Sequence, residues 1–434
     1  MNGESIDFTK FHFFQGNRMM QKIKHLLSIL GPGIFAIGYT IGTGSVTSMA
    51  KAGSQYGLQL VWVLALSCLF SGILMEAYGR LEVVTGETAL YAIKRHLRWG
   101  KPLAVLIFIG VVMGQYTCLG SILTLSSGAI YETLGMFFPS LPKNNYGAVL
   151  AIAIILIGSI YGMLMIGRYG FFEKVLAFFV MLMGITFLIS MFVVWPSPEI
   201  LKQAVLPSIP DEPGALLMIA AFVGTTMAAP TFVTRPLLLK EKGLTCAHLR
   251  EQRLDAIVSA TLMFVISGSI MVVAAGALYA HGKDIVKILD MVHTLEPVAG
   301  KFAVALFMAG TLSAGLSSIF PILMVAPLLV SDYQVGHMEP RSRSFKVLCL
   351  VASLFGLIVP LLGRNPITIT VMAQISNVFV LPLTVLVIHI LINRRSLLGE
   401  HRAGIWLNIG LALAFFFSCI IAITGALALF EQLR

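Results

Sequence analysis

The chain has 434 residues, of which 57% are hydrophobic and only 12% charged, with a net charge of +10. Soluble domains average about 25% charged residues, so an ordinary soluble enzyme or binding module is excluded. The apolar residues fall in unalternating runs of about 20, which read as membrane-crossing helices and not as barrel strands.

Residues 1–26 are polar and aromatic, lack the apolar core and cleavage site of a signal peptide, and read as a cytoplasmic lead-in. Eleven apolar segments follow, at 27–53, 58–80, 102–130, 146–166, 172–195, 214–236, 255–279, 300–330, 345–363, 367–392 and 404–430. If the N-terminus lies inside, 22 of the 30 Lys and Arg residues fall on inner loops or inner span ends. The positive-inside rule therefore predicts a cytoplasmic N-terminus and an external C-terminus. The basic excess is topology, so the expected surroundings are a lipid bilayer, most simply a bacterial inner (plasma) membrane, and not nucleic acid. Five scattered cysteines read as packing residues. With no Walker-type loop, metal-spaced His/Cys cluster or catalytic triad, neither a cofactor nor an enzyme is expected.

Two spans carry unusual punctuation. The first contains LGPGIFAIGYTIGTGSVTSM and the sixth GTTMAAPTFVTRP. Interior proline removes a helix hydrogen bond, and unwound backbone survives at membrane depth only where protein buries it or a wet cavity accepts it. Broken helices five spans apart predict two repeated halves, 27–195 and 214–392, joined by an external loop at 196–213. A cytoplasmic loop and an eleventh span complete the chain at 393–434. Paired interruptions of this kind mark the binding site of secondary transporters; the alternative is a pair of packing kinks.

The residues GP…GY…AGSQYG over Gly31–Gly57 resemble the first span of the natural resistance-associated macrophage protein (NRAMP) family of divalent-metal transporters. RLEVVTG (80–86), LEPVAGKFAVALFMAGTLSAGLSS (295–318) and AQISNVFVLPL (373–383) resemble its second, eighth and tenth. The resemblance implies an all-α LeuT-type fold of two inverted five-helix repeats plus an eleventh helix. The metal motifs diverge. Where the family has Asp-Pro-Gly-Asn, this chain has Gly42, Thr43, Gly44 and Ser45. Against Ala-Thr-x-Met-Pro-His, aligned on Gly224, it has Thr225-Thr226-Met227-Ala228-Ala229-Pro230. Gln374 is kept, and the third span, GVVMGQYTCLGSILTLSSG, has no acid.

The resulting expectation is a substrate site made of Gly42, Thr43, Gly44, Ser45, Thr225, Thr226, Ala228, Gln374 and Asn377. The hydroxyls could instead cap or back-bond their own helices, and Gln374 and Asn377 could glue spans together. Arg235, at the family's second histidine, is a gating or coupling candidate or a snorkelling residue. Glu76 is either the partner of Arg80 or a proton carrier, so proton coupling stays open. An uncharged cavity has no charge with which to strip water from a dication. The leading expectation is therefore alternating-access transport of a small polar neutral or anionic organic solute, with no bound metal. A loosely held, hydrated divalent cation (manganese, iron or magnesium) and a non-transporting sensor are the alternatives.

Overall fold

The computed structural model describes residues 31–433, apart from 139, 141, 143–144, 167–168, 206, 212–213, 282–287 and 364–365; the expected lead-in over 1–26 lies outside them. Among the described residues every regular element is helical. Ten stretches are long and apolar enough to cross a membrane. The first expected span joins them in two shorter pieces, α1 (Gly31–Thr40) and α2 (Thr43–Tyr56).

The first half continues with α3 (Val61–Thr85), the short α4 (Ala89–His96), α5 (Gly100–Phe137), α6 (Tyr146–Met165), α7 (Tyr169–Val193) and α8 (Pro198–Gln203). The sixth span is split into α9 (Ala215–Thr226) and α10 (Ala229–Glu241). Then follow α11 (Leu249–Ala277), α12 (Ile288–Val335, bent at Gly300), α13 (Arg343–Gly356) and α14 (Ile358–Leu362). The chain closes with α15 (Pro366–Val378), α16 (Leu381–Asn393), α17 (Arg395–Leu398) and α18 (Ile405–Leu433).

Local chemistry sets the ends. Asn145 accepts from the Ala148 amide to start α6, and Ser342 accepts from Phe345 to start α13. Gly86, at φ 69°, closes α3 with a left-handed turn whose amide returns to the Glu82 carbonyl. Helices that are apolar all round belong either in a core or against lipid, and burial separates the two. The α9–α10 pair and α12 have 89% of their most apolar window buried, whereas α6 and α18 have 22%. The broken span is therefore central, and α11, α3, α12 and α15 pack around it and around α1 and α2.

Candidate functional site

At the first break, Ile41 and Gly42 leave the helical path, and Gly42 is extended at φ −99°, ψ −178°. A β-carbon there would stand 2.3 Å from Ser318 Oγ of α12, so the α12 side chain fills the space that a side chain at 42 would need. At the second break, Met227 (φ −98°, ψ 46°) and Ala228 (φ −65°, ψ 116°) interrupt the chain. Pro230 falls in the first turn of α10, where its missing amide leaves no helix bond unmade.

Carbonyls freed by unwinding are satisfied by hydroxyls from neighbouring helices. Ser318 Oγ donates to the Gly38 carbonyl at 2.6 Å, and Ser71 Oγ donates to the Thr226 carbonyl at 2.8 Å. Thr225 Oγ1 donates to the Thr40 carbonyl at 3.1 Å, which ties one break directly to the other. Gly224 lies so close to α15 that a β-carbon would sit 2.0 Å from the Gln374 carbonyl oxygen. Gly44 likewise lets the Gln374 side chain approach.

A small cavity lies at this junction, lined by Tyr39, Thr40, Gly42, Ser45, Gln115, Cys118, Ile122, Thr225, Ala228, Ile322, Gln374 and Asn377. Its free space, about 10 Å³, is roughly what one water molecule requires. Six of the nine expected substrate residues line it: Gly42, Ser45, Thr225, Ala228, Gln374 and Asn377. Gly44 stands just behind, against Gln374. Thr226 turns its carbonyl to Ser71 instead, and its hydroxyl is buried without a partner among the described residues. Thr43 opens α2, and its side chain lies outside the described residues.

Sequence reading missed Tyr39, Gln115 and Cys118 as part of this wall. Gln115 Nε2 donates to Asn377 Oδ1 at 3.2 Å, and Gln374 Nε2 meets Cys118 Sγ at 3.6 Å, so the amides are braced from α5. The signal was present: Gln115 is the only amide in the third apolar run, beside a glycine that lets Asn377 approach. Cys118 thus does more than fill space. Some expected alternatives also hold, since Thr40 back-bonds to the Ala36 carbonyl at 2.9 Å while lining the cavity.

Arg235 and Glu76 belong to a different layer. Arg235 is 1% exposed and donates through Nη2 to Asp255 Oδ2 at 2.7 Å and to the Gln252 carbonyl. It neither snorkels to solvent nor reaches the cavity. Glu76 Oε1 receives Arg80 Nη2 at 2.5 Å and Arg253 Nε at 3.2 Å, while Gln252 Nε2 holds Oε2 at 2.8 Å. The ion pair with Arg80 is therefore present, inside a network. Three further acids near span ends, Glu82, Asp255 and Asp332, are buried too. The run KEKGLTCAHLREQR is mostly exposed or half-exposed but is anchored at two points. Lys240 donates to the Gly86 and Gly336 carbonyls at 2.9 and 2.8 Å, and Gln252 is fully buried.

Chemically, the junction offers hydroxyl, amide and carbonyl oxygens, with one thiol. Among the described residues no three His, Cys, Asp or Glu side chains cluster as a metal site. The junction is nevertheless strongly dipolar. The carbonyl ends of α1 and α9 and the amide ends of α2 and α10 converge here, and each helix end carries about half an elementary charge.

Comparison with known proteins adds what geometry does not. The chain is 25% identical over 392 residues to a divalent metal cation transporter (MntH) of Vibrio campbellii, covering 89% of each. It is 26% identical over 405 residues to the protein of that name from Pectobacterium carotovorum, covering 90% of this chain and 92% of the other. A manganese transporter of Eremococcus coleocola superposes with a TM-score of 0.74 at 14% identity, covering 94% of this chain and 87% of that one. Mhp1, a nucleobase-cation-symport-1 family transporter, superposes at 0.61 and 16% identity, covering 92% of this chain and 90% of its own. The fold is thus the LeuT type, and the protein is an integral membrane protein.

These relatives overturn the expectation of a small polar organic solute as substrate and partner, and nothing supports a sensor. The physical reason is twofold. The junction has space for about one water molecule, whereas pockets for organic ligands run to roughly 300–1,000 Å³. Moreover, neutral oxygens and the carbonyl ends of helices also ligate hard cations, so a missing carboxylate does not exclude one. Matched from residue 33 to residue 428 by the model of the natural resistance-associated macrophage protein-like (Nramp) family, the chain belongs to that family.

Proposed function

We propose that the protein moves a divalent metal cation across a membrane by alternating access, binding it at the junction of the two broken helices. The observation that carries this reading is the convergence of the α1 and α9 carbonyl ends on a water-sized cavity walled by Ser45, Gln115, Gln374 and Asn377. Hard oxygen donors suit magnesium, calcium and manganese better than softer metals, and a thioether is missing where Ala228 stands. With no carboxylate to offset full dehydration, the cation keeps part of its water, as magnesium habitually does. The present spacing admits one water-sized particle, so entry of a hydrated ion requires the walls to part.

In this reading the halves 27–195 and 214–392 are the arms that rock about the junction. The basic end lies in the cytoplasm, with the N-terminus inside and the C-terminus outside, in a bacterial plasma membrane. Flux assays in proteoliposomes with magnesium, calcium, manganese and iron(II) test it. Saturable uptake of at least one, lowered several-fold by Ser45→Ala and by Gln374→Leu, is expected. No saturable flux of any of the four would overturn the reading.

A further inference from the structure

On the outside of the bundle, a groove of about 450 Å³ runs along the seam of α3 and α11. Leu69, Gly72 and Ile73 from α3, Ile257 and Phe264 from α11 and Leu407 from α18 form most of its wall. The two helices run antiparallel, because Glu76 meets Arg253 at one end and Leu64 meets Gly268 towards the other. The helices cross closely at Gly72, where a β-carbon would stand 3.0 Å from that of Ala260, and the groove opens beside that crossing. Leu69 and Ile257 are 56% and 53% exposed, so the apolar wall faces lipid.

Two features select an occupant. From Ala65 to Glu76 the α3 face spans eleven helical steps, about 16 Å, and one leaflet of hydrocarbon is about 15 Å deep. The groove is apolar along that length and charged at one end only, where Glu76 and Arg253 line it. There Glu76 pairs with both Arg80 and Arg253, one carboxylate against two guanidinium groups, leaving the local balance positive. The Arg253 side chain is 53% exposed and gives only its Nε to Glu76. A guanidinium fork is suited to phosphate oxygens.

We propose that this groove holds one acyl chain of an anionic phospholipid, with the lipid phosphate on Arg253. The site stands apart from the cation junction but backs onto it. Ser71, on the opposite face of α3, donates to the Thr226 carbonyl at the second break, and α11 packs on α1 and α2.

The test is native mass spectrometry of the full chain extracted from vesicles of equal phosphatidylglycerol and phosphatidylcholine. Retention of one phosphatidylglycerol per chain, several-fold above phosphatidylcholine, is expected. Thr261→Trp fills the groove from an exposed position and should abolish retention. Arg253→Gln should leave a retained lipid with no preference between headgroups. Equal retention of both lipids by the wild-type chain, or undiminished phosphatidylglycerol on Thr261→Trp, would overturn the proposal. The Thr261→Trp arm decides the matter even if Arg253→Gln fails to fold.

Discussion

The junction of the broken helices and the basic end of the bundle are both buried and both polar, yet they are built from opposite materials. At the junction the groups are neutral, and freed carbonyls are met one by one by single hydroxyls. At the basic end the groups are charged and held in networks. Arg235 pairs with Asp255, Glu76 with Arg80 and Arg253, and Asp332 accepts from the Leu90 and Tyr91 amides. The difference teaches that charge here ties helices together and stays off the cavity wall. A network of ion pairs ties α3, α10 and α11 together, while the centre keeps only single neutral hydrogen bonds, which suit the passage of the ion proposed above.

The largest effect expected from this contrast is at the basic end. Arg235→Met leaves Asp255 buried without its cation, and breaking one side of such a pair costs about 3–5 kcal/mol. Thermal unfolding in detergent should show that loss, with most of it recovered in Arg235→Met/Asp255→Leu. A single variant as stable as the parent would break the contrast.

Next is a change that imports charge into the centre. Gly42→Asp with Ser318→Gly, which clears the Oγ and the β-carbon 2.3 and 2.7 Å from the new β-carbon, should tighten manganese binding about a hundredfold, ~2.7 kcal/mol. Calorimetric titration reads it, and unchanged affinity would detach the junction from the cation.

Lys240→Met removes two carbonyl partners, Gly86 and Gly336, at about 2 kcal/mol. Its sign is read by increased labelling of a cysteine placed at the buried Thr234 position. The smallest effect is that of Thr225→Val, which removes the bond between the two breaks for about 1 kcal/mol. It should lower the melting temperature slightly while leaving the basic end's labelling unchanged.

How much of this could be read in the sequence follows from the physics of each feature. Spans were legible because lipid demands continuous apolar length, and both breaks were legible because glycine and proline are costly there. The first lies at Ile41–Gly42 and the second at Met227–Ala228, inside the stretches the punctuation marked. Six wall residues followed from those positions. Gln115 and Cys118 did not, since nothing local to α5 says which of its faces meets α15. The buried acids Asp255, Glu82 and Asp332 were hidden for a related reason. Each sits near a span end, where a charge reads as solvated until tertiary packing of α1, α4 and α10 covers it. The substrate class was not legible because formal charge is visible in a sequence, whereas the water-sized cavity between the breaks is not.

The hydroxyl bond between Thr225 and Thr40 has a bearing on the return half of a transport cycle. A site with a carboxylate is left with a bare anion once its cargo departs, and something must neutralise that anion before the arms swing back. Here the junction already closes on itself, oxygen to hydroxyl, with no carboxylate on its wall. In the cycle proposed above, the unloaded protein would reset without borrowing a proton.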